Sequence, residues 1–178
     1  MNLFISPHND DETLFGAFTL MREKPLVVIV TDSWIQANRG DNNTADQRWE
    51  ETKAAMAMIG LSVIRLGIRD DIISEWHTEE KLRMFTGFNK VYAPAIQGGN
   101  PHHDLIGKIA QDIFGDKVIQ YSTYAPGEFY TKGLVEIAPV GSELIVKEKM
   151  LTCYKSQLAL EATKPHFEAV KDKPEWLM

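Results

Sequence analysis

Cysteine is almost missing from this chain. One thiol, Cys153, in 178 residues excludes an intrachain disulfide and places no demand for an oxidising compartment. Lysine and arginine never form a run, and the net charge is −6. A nucleic-acid or anionic-membrane surface therefore has no electrostatic footing, and neither partner is expected. No apolar stretch approaches the roughly 20 residues of a membrane-spanning helix, and the apolar start is too short for a signal peptide. Internal repeats and low-complexity tracts are also lacking. A cytoplasmic, soluble protein is expected, and homo-oligomerisation is left open.

What is present is an ordinary globular composition, 44% apolar and 25% charged, at a length that supports one core without staples. A single domain over residues 1–178 is expected, with its core in about 1–160 and a polar, proline-containing tail over 164–178.

The chemistry concentrates in Pro7-His8-Asn9-Asp10-Asp11-Glu12. A short apolar strand (2–6) breaks at the proline, and a helical pattern follows with Leu14, Phe15, Phe18 and Met21 on one face. Open α/β sheets place their sites at such strand-to-helix turns. His8 and Asp11, three apart, can offer an imidazole nitrogen and a carboxylate oxygen to a divalent metal. Asp10 between them is free to act as a base. The plainer alternative makes Asp10 or Asp11 a helix cap and Glu12 a partner of the helix dipole.

Residues 25–31 form a β-branched run suited to a strand covered on both faces, completing a βαβ unit. The polar loop over 32–46 leaves the same sheet edge, and Trp34 in it is either a substrate platform or a pin for its loop. A helix over 45–58 buries Trp49, Thr52, Ala55 and Met56 and ends at Gly60. In it Arg48 and Glu51 make a surface ion pair, or Arg48 aims at the site. Further strands are expected at 61–66, 90–95 and 117–121, an extended segment at 130–139, and helices at 76–88, 103–114 and 142–160. His77 reads as structural or solvent-facing.

A second strand–turn–helix unit carries Gln97-Gly98-Gly99-Asn100-Pro101-His102-His103-Asp104. His103, at the helix mouth, can supply a second imidazole. Two histidines, one carboxylate and an open position make a catalytic rather than a structural metal arrangement. His102 and His103 diverge on the turn, so one can coordinate while the other faces substrate or packs. Gly98 and Gly99 let the backbone come close to a substrate.

With both motifs in hand, the chain resembles the PIG-L/LmbE-like family of metal-dependent N-deacetylases. The first motif is matched by Pro7 to Glu12, and the second, opening a helix, by Asn100-Pro101-His102-His103. The strand ending at Thr31, the Arg48/Glu51 helix closing on Gly60, and Ser156-Gln157 follow in the family's order. The resemblance implies a Rossmann-like three-layer α/β/α sandwich around a mostly parallel sheet. It implies that His8, Asp11 and His103 bind Zn2+ or another divalent metal. Asp10 would be the general base toward a metal-bound water and would later hand that proton to the departing amine, and Arg48 would face substrate or a carboxylate. The implied substrate is a small N-acyl compound such as an N-acetylated amino sugar, N-acetylglucosamine among them.

One position departs from the pattern. Asn100 stands where the family usually has a histidine that supports the oxyanion or protonates the leaving group. An asparagine amide can donate to an oxyanion but cannot transfer a proton, so His102 becomes a candidate replacement. The departure keeps alternatives open: another reaction on the same fold, such as hydration of a small unsaturated acid, or a metal- or sugar-binding protein without turnover.

Overall fold

A computed structural model describes residues 1–33 and 44–178. Trp34 lies outside the described residues. Nine elements alternate through the first two thirds of the chain: β1 (Leu3–Ser6), α1 (Asp11–Glu23), β2 (Leu26–Thr31), α2 (Ala45–Met58), β3 (Val63–Ile68), α3 (Glu75–Leu82), β4 (Val91–Pro94), α4 (Pro101–Phe114) and β5 (Val118–Tyr121). There follow β6 (Val135–Ile137), α5 (Glu143–Leu151), α6 (Lys155–Leu158), α7 (Lys164–Val170) and β7 (Glu175–Leu177). The seven strands form one sheet in the order β3-β2-β1-β4-β5-β7-β6. The first five are parallel, and β7 runs antiparallel to both of its neighbours.

The period-two alternation of the strands builds the layers. Phe4, Val27, Ile29 and Tyr92 join one core cluster with Leu14 and Leu20 of α1, Met56 of α2, Met150 of α5 and Phe167 of α7. Leu3, Ile5, Val28, Val30 and Val91 join the other, with Leu82 of α3 and Ile106 and Ile109 of α4. Helices thus cover both faces, the expected three-layer α/β/α arrangement. Burying each such aliphatic or aromatic side chain contributes about 1.5–3 kcal/mol. Two glycines let helices sit close to the sheet. A Cβ on Gly16 of α1 would lie 2.3 Å from the Phe4 ring, and one on Gly107 of α4 would lie 2.3 Å from the Pro94 carbonyl oxygen.

The topology reverses at β1. Chain order runs outward through β2 and β3, then returns to β4 on β1's other side, with Leu3 opposite both Leu26 and Val91. Because β1 and β4 are adjacent and parallel, the turns leaving their carboxyl ends sit side by side. This is the topological switch point where open α/β sheets bind ligands.

Three expectations need correction. The helix expected over 142–160 is two helices, broken because the Tyr154 side chain is wholly buried, its hydroxyl sharing a hydrogen bond with Thr13 and donating to Glu12. The helix expected over 76–88 is shorter, Glu75–Leu82, capped by the Ser74 side chain accepting from the His77 N–H. The stretch over 164–178 is no polar tail: α7 buries Phe167 and Val170, and β7 fills the sheet between β5 and β6. Its Glu175 is buried with both carboxylate oxygens engaged. They accept from the Phe18 and Thr19 backbone N–H groups and from Lys147, which also donates to the Leu14 carbonyl at 2.9 Å.

Candidate metal centre and its cavity

The turn after β1 is held from four directions. Thr31, at the end of β2, donates through both its backbone N–H and its hydroxyl to the Pro7 carbonyl, each at 2.9 Å. Asn9 is buried, accepting from Thr52 of α2 at 3.1 Å and donating to Ser33. Arg48 of α2 donates to the Asn9 carbonyl and, at 2.9 Å, to the Asp10 carboxylate. Glu12 accepts from the Asp10 backbone N–H and the Ser6 hydroxyl, both at 3.1 Å, and from Tyr154. Glu12, in the first turn of α1, is therefore also a strut of the turn, and burial pushes its pKa up to about 7.

This bracing keeps Asp10 in a conformation that L-residues avoid, with φ at 118°. Strain of this kind costs on the order of 1–3 kcal/mol and persists only where the surroundings over-determine it. Asp10 flanks α1 without capping it by its side chain, so the capping alternative does not describe it. Its carboxylate instead faces Arg48, which is itself buried. Burial raises the Asp10 pKa well above the usual carboxylate range, with Arg48 opposing.

The two turns meet. His8 Nδ1 lies 2.8 Å from Asp11 Oδ2, His103 Nε2 lies 3.0 Å from the same oxygen, and the two imidazole nitrogens are 3.2 Å apart. Three donor atoms in so small a triangle, two imidazoles and one carboxylate, match the ligand set of a catalytic divalent-metal site. Bonds of roughly 2.0–2.2 Å reach a shared ion from such spacings. The electrostatics agree with the donor chemistry. Burial opposes ionisation of Asp11, yet the facing His103 and His8 rings hold its carboxyl far below the usual range. Burial lowers the His103 pKa, with Asp11 opposing, and so favours the neutral imidazole that ligation requires.

His102 stands behind the triangle rather than inside it. Its Nδ1 is 3.0 Å from Nε2 of His8, the position from which an outer partner orients a ligating ring. Burial, with His8 adding to it, lowers its pKa. Asn100 caps α4: its side-chain oxygen accepts from the His102 N–H at 2.9 Å, and Pro101 occupies the first turn. The glycine turn has its own roles. Gly98 needs a φ of 75°, and its N–H donates to Asp104. Gly99 is pressed against the Tyr124 backbone, where a Cβ would lie 2.4 Å from the carbonyl oxygen. Neither glycine lines the main cavity.

That cavity, about 420 Å³, opens over His8, Asp10, Asp11, Arg48, Asn100 and His102. The rest of its wall includes residues to which no site role was assigned from the sequence, among them Asp70 after β3, Tyr124 after β5, Gln157 of α6, and His166 and Phe167 of α7. Asp70 and Tyr124 each follow a strand at the active edge, a positional signal that could have found them. His166 carried none, because its segment read as tail. The surface-pair reading of Arg48 and Glu51 fails, since Glu51 is buried and accepts from Ser156 at 2.6 and 2.8 Å. The Ser156-Gln157 landmark is thereby tied to the helix that carries Arg48.

Residues 3–114, which contain both turns, match the family described as GlcNAc-PI de-N-acetylase. The chain belongs to this PIG-L family. No curated protein matches it. Among solved structures, a triple mutant of a deacetylase of the teicoplanin biosynthetic pathway superposes with a TM-score of 0.77 at 16% identity, covering 98% of this chain and 94% of that one. The N,N'-diacetylchitobiose deacetylase of Pyrococcus horikoshii gives 0.74 at 15% identity, covering 99% and 83%. GalB, the 4-carboxy-2-hydroxymuconate hydratase of Pseudomonas putida KT2440, gives 0.68 at 16%, covering 99% and 94%. Identities this low carry the PIG-L fold alone. Among the described residues no helix is long and apolar enough to cross a membrane.

Proposed function

We propose that this chain is a divalent-metal-dependent hydrolase, zinc being the first candidate, that removes an N-acyl group from an amino sugar or a related small amide. The observation that carries this reading is the triangle of His8, Asp11 and His103 donor atoms, within 3.2 Å of one another, with the Asp10 carboxylate beside it but outside it. Membership in a de-N-acetylase family supports the deacetylase class.

When bound, a divalent ion at that triangle supplies an acidified water and polarises the amide carbonyl. The chain's own groups do the rest. Asp10 lies next to the donors and takes the proton of the attacking water. Burial raises its pKa, the direction that makes a carboxylate a stronger base, with Arg48 opposing. Arg48 holds the Asp10 carboxylate in place at 2.9 Å. Asn100 and His102 sit at the cavity wall, and the Asn100 amide is available as a donor to a developing oxyanion. His102 acts as a positioning residue behind His8. Polar lining interrupted by Tyr124, Leu14 and Phe167 suits a sugar, which offers hydroxyls at its edge and an apolar face.

The test is direct. Protein purified without a histidine tag should hold about one divalent ion per chain and release acetate or formate from a member of an N-acyl sugar panel. Asp10→Asn should keep the metal and lose a factor on the order of 10² or more in turnover. No metal after zinc addition, or no N-acyl hydrolysis, would remove the reading. Asn100 favours one rival, hydration of a small unsaturated acid, and the same screen extended to such acids separates the two.

A further inference from the structure

Amide cleavage requires a proton for the departing nitrogen, because an amide anion is too poor a leaving group at neutral pH. Most groups around the cavity are otherwise committed. His8, Asp11 and His103 face one another as the donor triangle. Asp10 takes the water's proton and, once protonated, is the competing donor that the His166 variants must separate from His166 itself. Arg48 is engaged by the Asn9 carbonyl and the Asp10 carboxylate, and burial pushes the Tyr124 pKa well above its usual value. His102 spends its Nδ1 on His8. Asn100 has no titratable proton, and its oxygen is spent on the cap of α4.

His166 is different. It is half-buried on α7, its ring lies edge-on to Tyr124 with centroids 5.1 Å apart, and it packs on Phe129 at 4.1 Å. Among the described residues its ring nitrogens have no hydrogen-bond partner. Its position matters as much as its chemistry. His166, Asn100 and Tyr124 line the main cavity and also a smaller recess of about 180 Å³ floored by Phe129, Gly99 and Glu128. His166 thus borders both spaces. A substrate with its acyl carbon at the donor triangle and its amine substituent in the recess would carry the scissile nitrogen along the wall they share.

We infer that His166 is the proton donor to the leaving amine, supplying from the far end of the chain what Asn100 cannot. The inference rests on the amide-hydrolase reading. The attacking water's oxygen bonds to the acyl carbon and its proton goes to Asp10. The C–N bond breaks with its electron pair on nitrogen, and that nitrogen takes the proton of the His166 imidazolium. Neutral imidazole and protonated Asp10 remain, and exchange with solvent restores both. The carboxylic acid and the free amine leave. Burial lowers the His166 pKa, and Asp11 is the charged group opposing that shift. Tyr124 and Glu128 share the recess with it, and His8, Asp10, Arg48, Asp70 and His102 share the main cavity.

The experiment compares the metal-loaded wild-type chain with His166→Gln and His166→Ala on the N-acyl sugar that the panel identifies. The glutamine variant keeps size and hydrogen bonding but carries no transferable proton. Both variants are expected to keep about one metal ion per chain and an unchanged thermal midpoint. Both should lose about 10²-fold in kcat with KM within about threefold, and the alkaline limb of the kcat–pH profile should disappear. Wild-type kcat in His166→Gln, or a rise in KM with kcat intact, would overturn the assignment while leaving the hydrolase standing. An inactive wild-type chain across the whole panel would instead overturn the hydrolase and this role with it.

Discussion

At the scale of single residues, the proposed metal site depends on how His8 is held. His8 has one ring nitrogen at the donor triangle and the other 3.0 Å from His102. Removing that outer partner frees the ring to rotate and to change tautomer. His102→Ala is therefore expected to weaken metal binding by roughly 10–100-fold while the fold persists, as read by competition with a metal-sensitive dye and by a thermal melt. A variant that binds metal like the wild type would show His102 to be a bystander. The candidate donors that meet in the triangle were legible in the sequence because so few side chains can hold a divalent ion, and their spacing placed them at two helix mouths. Glu12 was not legible as a strut. Its partner Tyr154 is 142 residues away, and no local pattern encodes so distant a contact. His166 was hidden because its segment imitates a tail, whereas Asp70 and Tyr124 stood just beyond the ends of β3 and β5, open to a positional reading.

At the scale of elements, the position of His103 follows from how closely α4 lies on β4. Gly107 stands one turn beyond His103, and its missing Cβ leaves the Pro94 carbonyl undisturbed. In Gly107→Ala a Cβ 2.3 Å from that backbone oxygen cannot be relieved by a rotamer change, so the helix must lift. Overpacking of this kind costs about 1–3 kcal/mol, only partly offset by the roughly 1 kcal/mol better helix propensity of alanine. The expected result is a lower urea midpoint together with weaker metal binding. A lower midpoint with unchanged affinity would show that His103 does not depend on the seating of α4. Strands such as β2 and β4 were readable because a run of β-branched and aromatic residues has no good alternative to a doubly covered sheet position. The break between α5 and α6 was not. Residues 152–154 carry no proline or glycine, and what ends the helix is the tertiary anchoring of the Tyr154 hydroxyl.

At the scale of the whole molecule, the last fifteen residues complete both the sheet and the cavity. β7 is the neighbour through which β6 joins the sheet, while α7 contributes His166 and Phe167 to the cavity. A three-residue strand is too short to show alternation, and the lysines, prolines and acids around it imitate a solvated terminus. The clamp that fixes this segment is the Lys147–Glu175 pair, each side chain at most 2% exposed, inserted between the backbone of α1 and the end of the sheet. Burial favours the neutral form of both partners, lowering the lysine's pKa and raising the glutamate's. The pair persists because each charge compensates the other and both are hydrogen-bonded to backbone. Lys147→Met leaves a buried carboxylate without its counter-charge and is expected to cost about 3–5 kcal/mol, read as a fall in the urea midpoint. Adding Glu175→Gln should recover a large part of that loss, since a neutral amide needs no cation and its oxygen still accepts from the Phe18 N–H. If the double variant is no more stable than Lys147→Met alone, the segment is held by packing of Phe167 and Val170 and not by the charge pair. If the double variant regains stability, turnover should return with it, because the element that carries His166 is seated again.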